Sequence, residues 1–128
     1  MEAEKLVIRG LYGYLNKDIS FNKELNIIVG INGSGKTSIL NVINWMLAPS
    51  LANLSVVEFE LIELTFNFNK IKYRSIAKQD DKKLVYYLTD LTNGHEYSPL
   101  HVTLKIPPKK LTENDRQKER FYKEYLNL

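Results

Sequence analysis

The residues best suited to chemistry lie in a glycine-rich segment near the start of the chain. It reads Gly30-Ile31-Asn32-Gly33-Ser34-Gly35-Lys36-Thr37-Ser38 and fits the pattern G-x-x-x-x-G-K-[ST]. Glycines let the backbone curl, so successive N–H groups can point inward at an anion without a side chain in the way. The pattern therefore predicts a P-loop that binds the phosphates of a nucleoside triphosphate.

Most positions of this segment have a predicted role in binding the triphosphate, which we expect to be ATP with Mg²⁺. The Lys36 ammonium should lie at the β- and γ-phosphate oxygens, and the Thr37 hydroxyl should be a Mg²⁺ ligand. These two residues form the predicted catalytic pair, and Ser38 could hydrogen-bond on the α-phosphate side. The predicted nucleotide-binding set is Gly30, Asn32, Gly33, Ser34, Gly35, Lys36, Thr37 and Ser38.

A P-loop needs a buried strand before it and a helix after it, and the flanking sequence predicts both. Leu25–Val29 is a short run rich in β-branched residues, typical of a buried and parallel strand. The spacing predicts a helix over Thr37–Leu47, which Pro49 should end. Its apolar face comprises Ile39, Leu40, Ile43, Met46 and Leu47.

The remaining segments predict strands, hairpins and a terminal helix. Short strands are expected at Leu6–Ile8 and Asp18–Phe21. Apolar and polar residues then alternate over residues 56–68, 71–76, 84–88 and 102–106, with turn-like residues between them. This pattern is typical of antiparallel hairpins with one solvent-exposed face. From Thr112, an apolar stripe predicts a helix; it comprises Phe121, Tyr122, Tyr125 and Leu128.

The predicted fold class is therefore α/β, a P-loop NTPase lobe with a partly parallel core and a Walker-A helix. An antiparallel β-hairpin subdomain and a C-terminal helix complete it. We divide the single lobe into a P-loop core (1–50), an antiparallel subdomain (51–110) and a helix (111–128).

Composition limits the possible functions. With 128 residues, 44% hydrophobic and 26% charged, the chain is globular rather than disordered. It has no cysteine, which excludes disulfides, thiolate metal sites and cysteine nucleophiles. A net charge of +3 permits contact with nucleic acid, although we interpret Lys105–Lys110 as a solvated turn. Without a secretory pattern or a membrane-length apolar run, we expect a cytoplasmic protein with no membrane partner.

Other polar residues offer weaker alternatives. His95 and His101 could form a metal site but are better interpreted as exposed loop residues, and the pair Asp80-Asp81 as a solvated turn. Asp90 follows an apolar strand, as a Walker-B aspartate would, but Leu91 stands where a glutamate is expected. A kinase acceptor pocket or a guanine-specific Asn-Lys-x-Asp sequence is not visible.

The glycine-rich segment resembles the loop of ABC-type ATPase heads, especially the SMC/RecF-like and OLD-like group. Asn32 at the third position supports this resemblance. So does the N-terminal stretch from Leu6 to Tyr14, an apolar strand with aromatic residues that precedes the P-loop at a similar distance. In the family, a lysine or arginine near the first strand helps to hold the nucleotide. Tyr12 stands at that place here, and Tyr12 or Tyr14 could instead stack on adenine.

The resemblance implies an ATPase that serves DNA repair, chromosome maintenance or defence against phage. It also implies missing parts, since the family's Walker B, signature sequence, glutamine loop and switch histidine are not found here. We therefore expect an N-terminal lobe of a longer protein, whose C-terminal lobe supplies these parts and whose heads dimerise on ATP. Hydrolysis by this piece alone should be very slow. The alternative is a complete nucleotide-binding module that switches an interaction surface without hydrolysis.

Overall fold

The computed structural model describes residues 2–21 and 35–111, with side chains omitted for residues 35–38. The described strands are β1 (Glu2–Leu11), β2 (Leu15–Ser20), β3 (Leu61–Phe68), β4 (Ile71–Gln79), β5 (Lys83–Asp90), β6 (His95–Glu96) and β7 (Leu100–Thr103). The helices are α1 (Gly35–Leu47), α2 (Leu51–Val56) and a 3-10 helix (Pro108–Lys110). The strand predicted at Leu25–Val29 and the helix predicted from Thr112 lie outside the described residues.

The seven described strands form one sheet in the order β2-β1-β3-β4-β5-β6, and β7 also pairs with β5. All of the described pairings are antiparallel, which confirms the predicted hairpins. Because β1 lies between β2 and β3, the sheet runs across the division that we predicted at residue 50. The predicted parallel part of the core depends on Leu25–Val29 and stays a prediction.

Local chemistry explains the hairpin turns. Asn69 and Lys70 join β3 to β4 with φ angles of 51° and 66°, the left-handed conformation that matches the twist of a two-residue hairpin. Between β4 and β5, the Asp80 carboxylate accepts hydrogen bonds from the backbone N–H groups of Lys82 (2.7 Å) and Lys83 (2.9 Å). The solvated turn predicted for Asp80 and Asp81 is confirmed.

Helix α1 contributes its apolar face to the buried core that lines one face of the sheet, here called the core face. The buried residues of α1 are Ile39, Val42, Ile43 and Met46, while Asn41 and Asn44 are exposed. The sheet contributes the buried residues Leu6, Ile8, Ile62, Leu64, Ala77, Leu84 and Tyr86. The Tyr86 hydroxyl donates to the Met46 carbonyl at 2.9 Å, which fixes the end of α1 on β5.

The segment after α1 differs from the prediction, because α2 is helical and β3 begins only at Leu61. Ser50 caps this helix, since its hydroxyl accepts from the Asn53 backbone at 3.4 Å and from the Asn53 side chain at 2.8 Å. The strand expected from residue 56 is therefore wrong over residues 56–60. The antiparallel subdomain predicted for residues 51–110 begins with a helix.

Candidate nucleotide-binding site

Helix α1 begins inside the glycine-rich segment, so Gly35, Lys36, Thr37 and Ser38 form its first turn. The first turn contains no acidic residue, and the partial positive charge of the helix N-terminus is not offset there by a carboxylate of that turn. Such an end is suited to bind an anion. The other predicted residues of the loop, Gly30, Asn32, Gly33 and Ser34, lie outside the described residues.

The helix that follows the glycine-rich segment, α1, is packed against the core from Ile39 to Met46. Ile39 and Met46 are fully buried near its two ends, and the Tyr86 hydroxyl bonds the carbonyl of Met46. Moving the helix would expose this apolar face to water, which costs a free energy of about 25 cal/mol for each Å² exposed. The sheet therefore anchors α1 through its buried face and through the carbonyl of Met46.

Tyr12 lies in the tight turn between β1 and β2. Its φ is 56° and that of Gly13 is 86°. Gly10 has a φ of 69°, a left-handed conformation that favours glycine, and a Cβ there would lie 2.9 Å from Cγ of Glu60. The side chains of Tyr12 and Tyr14 are 43% and 74% exposed, which leaves aromatic surface available for stacking.

The segment that links α2 to β3, residues 57–60, supports this turn. The Tyr12 N–H donates to the Glu58 carbonyl at 2.8 Å, and the Glu60 N–H donates to the Arg9 carbonyl at 2.9 Å. One hydrogen bond therefore joins the turn to the linker, and the other joins the end of β1 to it. The position of Tyr12 depends on how firmly that linker is held.

Gln79, at the end of β4, holds the linker, and the sequence analysis missed this role. Its amide nitrogen donates to the carbonyls of Leu54 and Val57, both at 2.8 Å. Its amide oxygen accepts from the Phe59 N–H at 3.1 Å. A single glutamine thus satisfies three backbone groups. A glutamine at a strand end has no sequence signature of this kind, so only the structure reveals it.

Asp90 stabilises a turn, which argues against the Walker-B alternative. Its carboxylate accepts from the backbone N–H groups of Thr92 and Asn93, both at 2.9 Å, and from the Asn93 side chain at 2.8 Å. Hydrogen bonds from the Asn93 side chain and from the backbone of this turn lower the pKa of Asp90 from its ordinary value of 3.8. The sequence Asp-Leu-Thr-Asn-Gly, typical of an Asx turn, could have indicated this role.

The lowered pKa of Asp90 makes stability depend on pH. Its stabilising contribution is fully present above the unfolded pKa, near 3.8, and is lost as pH falls through the lower folded pKa. We expect Asp90→Asn, which keeps one acceptor oxygen, to melt at a lower temperature than the wild type at pH 6. The gap between the two melting temperatures should narrow as pH falls from 6 to below 3.8. A gap in melting temperature that is unchanged between these pH values would contradict the assignment.

Among the described residues, no group of three or more His, Asp or Glu side chains is arranged to hold a metal ion. His95 and His101 are exposed, as predicted, but they lie on strands β6 and β7 rather than in loops. The His95 ring packs edge-on to Tyr97 at 4.5 Å. No helix in this part of the chain is long and apolar enough to cross a membrane.

Comparison with known proteins identifies the class. A family described as an AAA domain matches residues 5–127, which is nearly the whole chain. The chain therefore belongs to this AAA-domain family and has its P-loop fold. The resemblance to ATPase heads of the SMC/RecF-like group is confirmed.

The chain is also similar to three curated relatives. The DNA double-strand break repair Rad50 ATPase of Thermococcus kodakarensis is 34% identical over 85 residues, covering 58% of this chain and 9% of that protein. The DNA replication and repair protein RecF of Streptococcus thermophilus is 33% identical over 84 residues, covering 66% and 22%. RecF of Oceanobacillus iheyensis is 25% identical over 120 residues, covering 94% and 28%. The chain spans less than a third of each relative's length.

Proposed function

We propose that this chain binds Mg²⁺–ATP through residues 30–38 and acts as a lobe of an ATPase head. The observation that carries the proposal is the glycine-rich segment, whose last residues form the first turn of a buried, well-anchored helix. A triphosphate fits this arrangement because the helix N-terminus favours an anion and no acidic residue of the first turn opposes it.

In this proposal, each residue of the segment binds or orients the triphosphate. Backbone N–H groups of Gly30, Asn32, Gly33, Ser34 and Gly35 surround the phosphates. Lys36 neutralises charge at the β- and γ-phosphates, Thr37 is a Mg²⁺ ligand, and Ser38 bonds near the α-phosphate. When bound, Mg²⁺ supplies charge stabilisation for phosphoryl transfer.

Efficient hydrolysis needs groups that we expect from a C-terminal lobe and a second head. These are the Walker-B carboxylate and the signature sequence, which together with ATP would join two heads as a dimer. We propose that this chain alone binds ATP with little turnover. The alternative is a nucleotide-binding module whose bound ATP only switches an interaction surface. ATPase activity restored by adding a lobe with Walker B and signature would exclude the alternative.

The process that we propose for the ATPase is DNA repair, because the relatives are named for double-strand break repair and for replication and repair. DNA is accordingly the partner to test first. Chromosome maintenance, or anti-phage defence in the manner of the OLD-like ATPases, is a second possibility that rests on the family resemblance. Stimulation of ATP turnover by double-stranded DNA, measured with both lobes present, would favour repair.

The direct experiment is a calorimetric titration of the chain with ATP and, separately, with GTP, each with Mg²⁺. We expect one binding site per chain with a preference for ATP. If a folded chain binds neither nucleotide, the site needs its other lobe or the loop has no ligand. If GTP binds more tightly, the proposed assignment to ATP is wrong.

Stacking by Tyr12 gives a second prediction about the same site. If its ring lies on adenine, Tyr12→Ala should weaken ATP binding by about fivefold to tenfold, which corresponds to one aromatic contact. Tyr14→Ala is measured in parallel to separate the two candidates for stacking, because Tyr14 lies in the same turn and is more exposed, at 74% against 43%. Equal affinities for the wild type and Tyr12→Ala would rule out stacking by Tyr12.

A further inference from the structure

The outer edge of the sheet at β7 is open. Among the described strands, β7 pairs only with β5, and its other side has no strand beside it. Every residue from 91 to 101 is exposed, so none of the described elements covers this edge. An open edge carries unpaired backbone donors and acceptors, which is where an extended peptide can add a strand.

The register shows which backbone groups face outward. The Leu104 N–H donates to the Lys82 carbonyl at 2.7 Å, two positions beyond the pair Leu84↔Val102. In an antiparallel ladder, alternate residues bond the partner strand, so Leu100 and Val102 bond β5. His101 and Thr103 therefore direct their N–H and C=O groups away from the sheet. The edge offers two donors and two acceptors.

The two faces of this edge differ in chemistry. Leu100 and Val102 pair with Tyr86 and Leu84, on the core face, and Leu100 is 46% exposed. His101 and Thr103 lie on the opposite face, where β4 and β5 place only basic charged residues. These are Lys72, Arg74, Lys78 and Lys83, and the acidic residues of this face belong to other strands, such as Glu63 on β3 and Glu96 on β6. Lys72 is paired with Glu4 at 3.1 Å and Arg74 with Glu63 at 4.0 Å. The basic charge nearest to β7 therefore comes from Lys78 and Lys83, which lie in register with His101 and Thr103.

We propose that β7 docks an extended acidic peptide of a partner protein as an added strand. Its β-branched apolar residues would continue the core face beside Leu100 and Val102. Its alternate acidic residues would lie on the basic face beside His101 and Lys83. Pro99 limits the strand at one end, because it lacks an N–H at the next outward-facing position. The docked segment is therefore short, and its register is set by four backbone hydrogen bonds.

The test measures fluorescence anisotropy with an eight-residue fluorescein-labelled peptide that alternates glutamate and valine. The wild-type chain is compared with two variants. Thr103→Pro removes an outward N–H and leaves the hydrogen bonds to β5, and Thr103→Val is the matched control. We expect the wild type and Thr103→Val to bind equally and Thr103→Pro to bind at least about tenfold more weakly, the equivalent of a lost hydrogen bond. The peptide with lysine in place of glutamate should not bind.

Two further measurements separate edge docking from other causes. If Thr103→Pro loses its circular dichroism signal, a peptide N-methylated at alternate residues replaces it, and this peptide should fail to bind the wild type. Hydrogen exchange at His101 and Thr103 should slow when the glutamate peptide is added. Equal binding of the lysine or N-methylated peptide would overturn the proposal. Duplex DNA is added as a competitor. If it displaces the peptide and binds Thr103→Pro as tightly as the wild type, the basic face binds nucleic acid instead of a peptide strand.

Discussion

Replacing Gln79 with alanine should lower the free energy of unfolding by about 2–4 kcal/mol, because it leaves backbone groups without partners. The three groups are the carbonyls of Leu54 and Val57 and the N–H of Phe59. Leu54 is fully buried and Val57 and Phe59 nearly so, which restricts access of water to the groups that lose the glutamine. Urea unfolding followed by circular dichroism measures the change.

The matched control for Gln79→Ala is Lys82→Ala, an exposed position in the turn that follows β4. We expect this control to change stability by less than about 0.5 kcal/mol. Gln79→Ala should also weaken ATP binding if Tyr12 contacts the nucleotide, because the linker that Gln79 holds bonds the Tyr12 N–H. A Gln79→Ala protein as stable as the wild type would show that the amide contacts contribute nothing.

Truncation of Leu64 to alanine is the second large effect, with an expected loss of about 2–5 kcal/mol. Leu64 is fully buried at the centre of the sheet, where it pairs with Leu6 on one side and Ser75 on the other. Its removal leaves a cavity in the core cluster that also contains the buried face of α1, and a paired strand cannot collapse to fill it. The thermal midpoint and the urea midpoint should both fall.

Leu61→Ala provides the control on the same strand. Leu61 is half-buried and faces away from the core, so the same change of residue type should cost only about 1 kcal/mol. Equal losses for the two variants would mean that the opposite face is also covered, in contradiction to the one-sided core described above. A clearly larger loss for Leu64→Ala than for Leu61→Ala would confirm that the core on which α1 packs lies on one face of the sheet.

The elements that could be predicted from the sequence are those whose apolar residues recur at a regular spacing. The alternation Leu64, Phe66, Phe68 predicts β3, and the 3.6-residue spacing from Ile39 to Met46 predicts α1. The start of β1 was missed, because Glu2 and Glu4 look like a polar terminus. In the structure, Glu4 is held by the Asn67 amide at 2.6 Å and Lys72 at 3.1 Å, partners distant in sequence.

Short elements failed because they carry too little pattern. The six residues of α2 span less than two turns. Val56 and Val57 at its end are β-branched residues that favour a strand, so the sequence predicts that β3 begins too early. The helix starts at the cap that Ser50 and Asn53 form. The alternating apolar residues that follow favoured a strand, so this cap was not predicted. The two-residue β6 has no period at all. In the candidate site, the motif predicts the binding residues, whereas the support from Gln79 is a tertiary contact that no local pattern encodes.

Binding of Mg²⁺–ATP by the P-loop is the central claim, and Lys36→Ala tests it most directly. Calorimetric titration of the wild type and the variant with ATP and Mg²⁺ would be compared at equal folded concentration, verified by circular dichroism. We expect binding by the wild type and a loss of at least about a hundredfold in the variant, since a charge-assisted contact to phosphate is removed. Undiminished binding by a folded Lys36→Ala chain would show that the nucleotide lies elsewhere and would contradict the proposal.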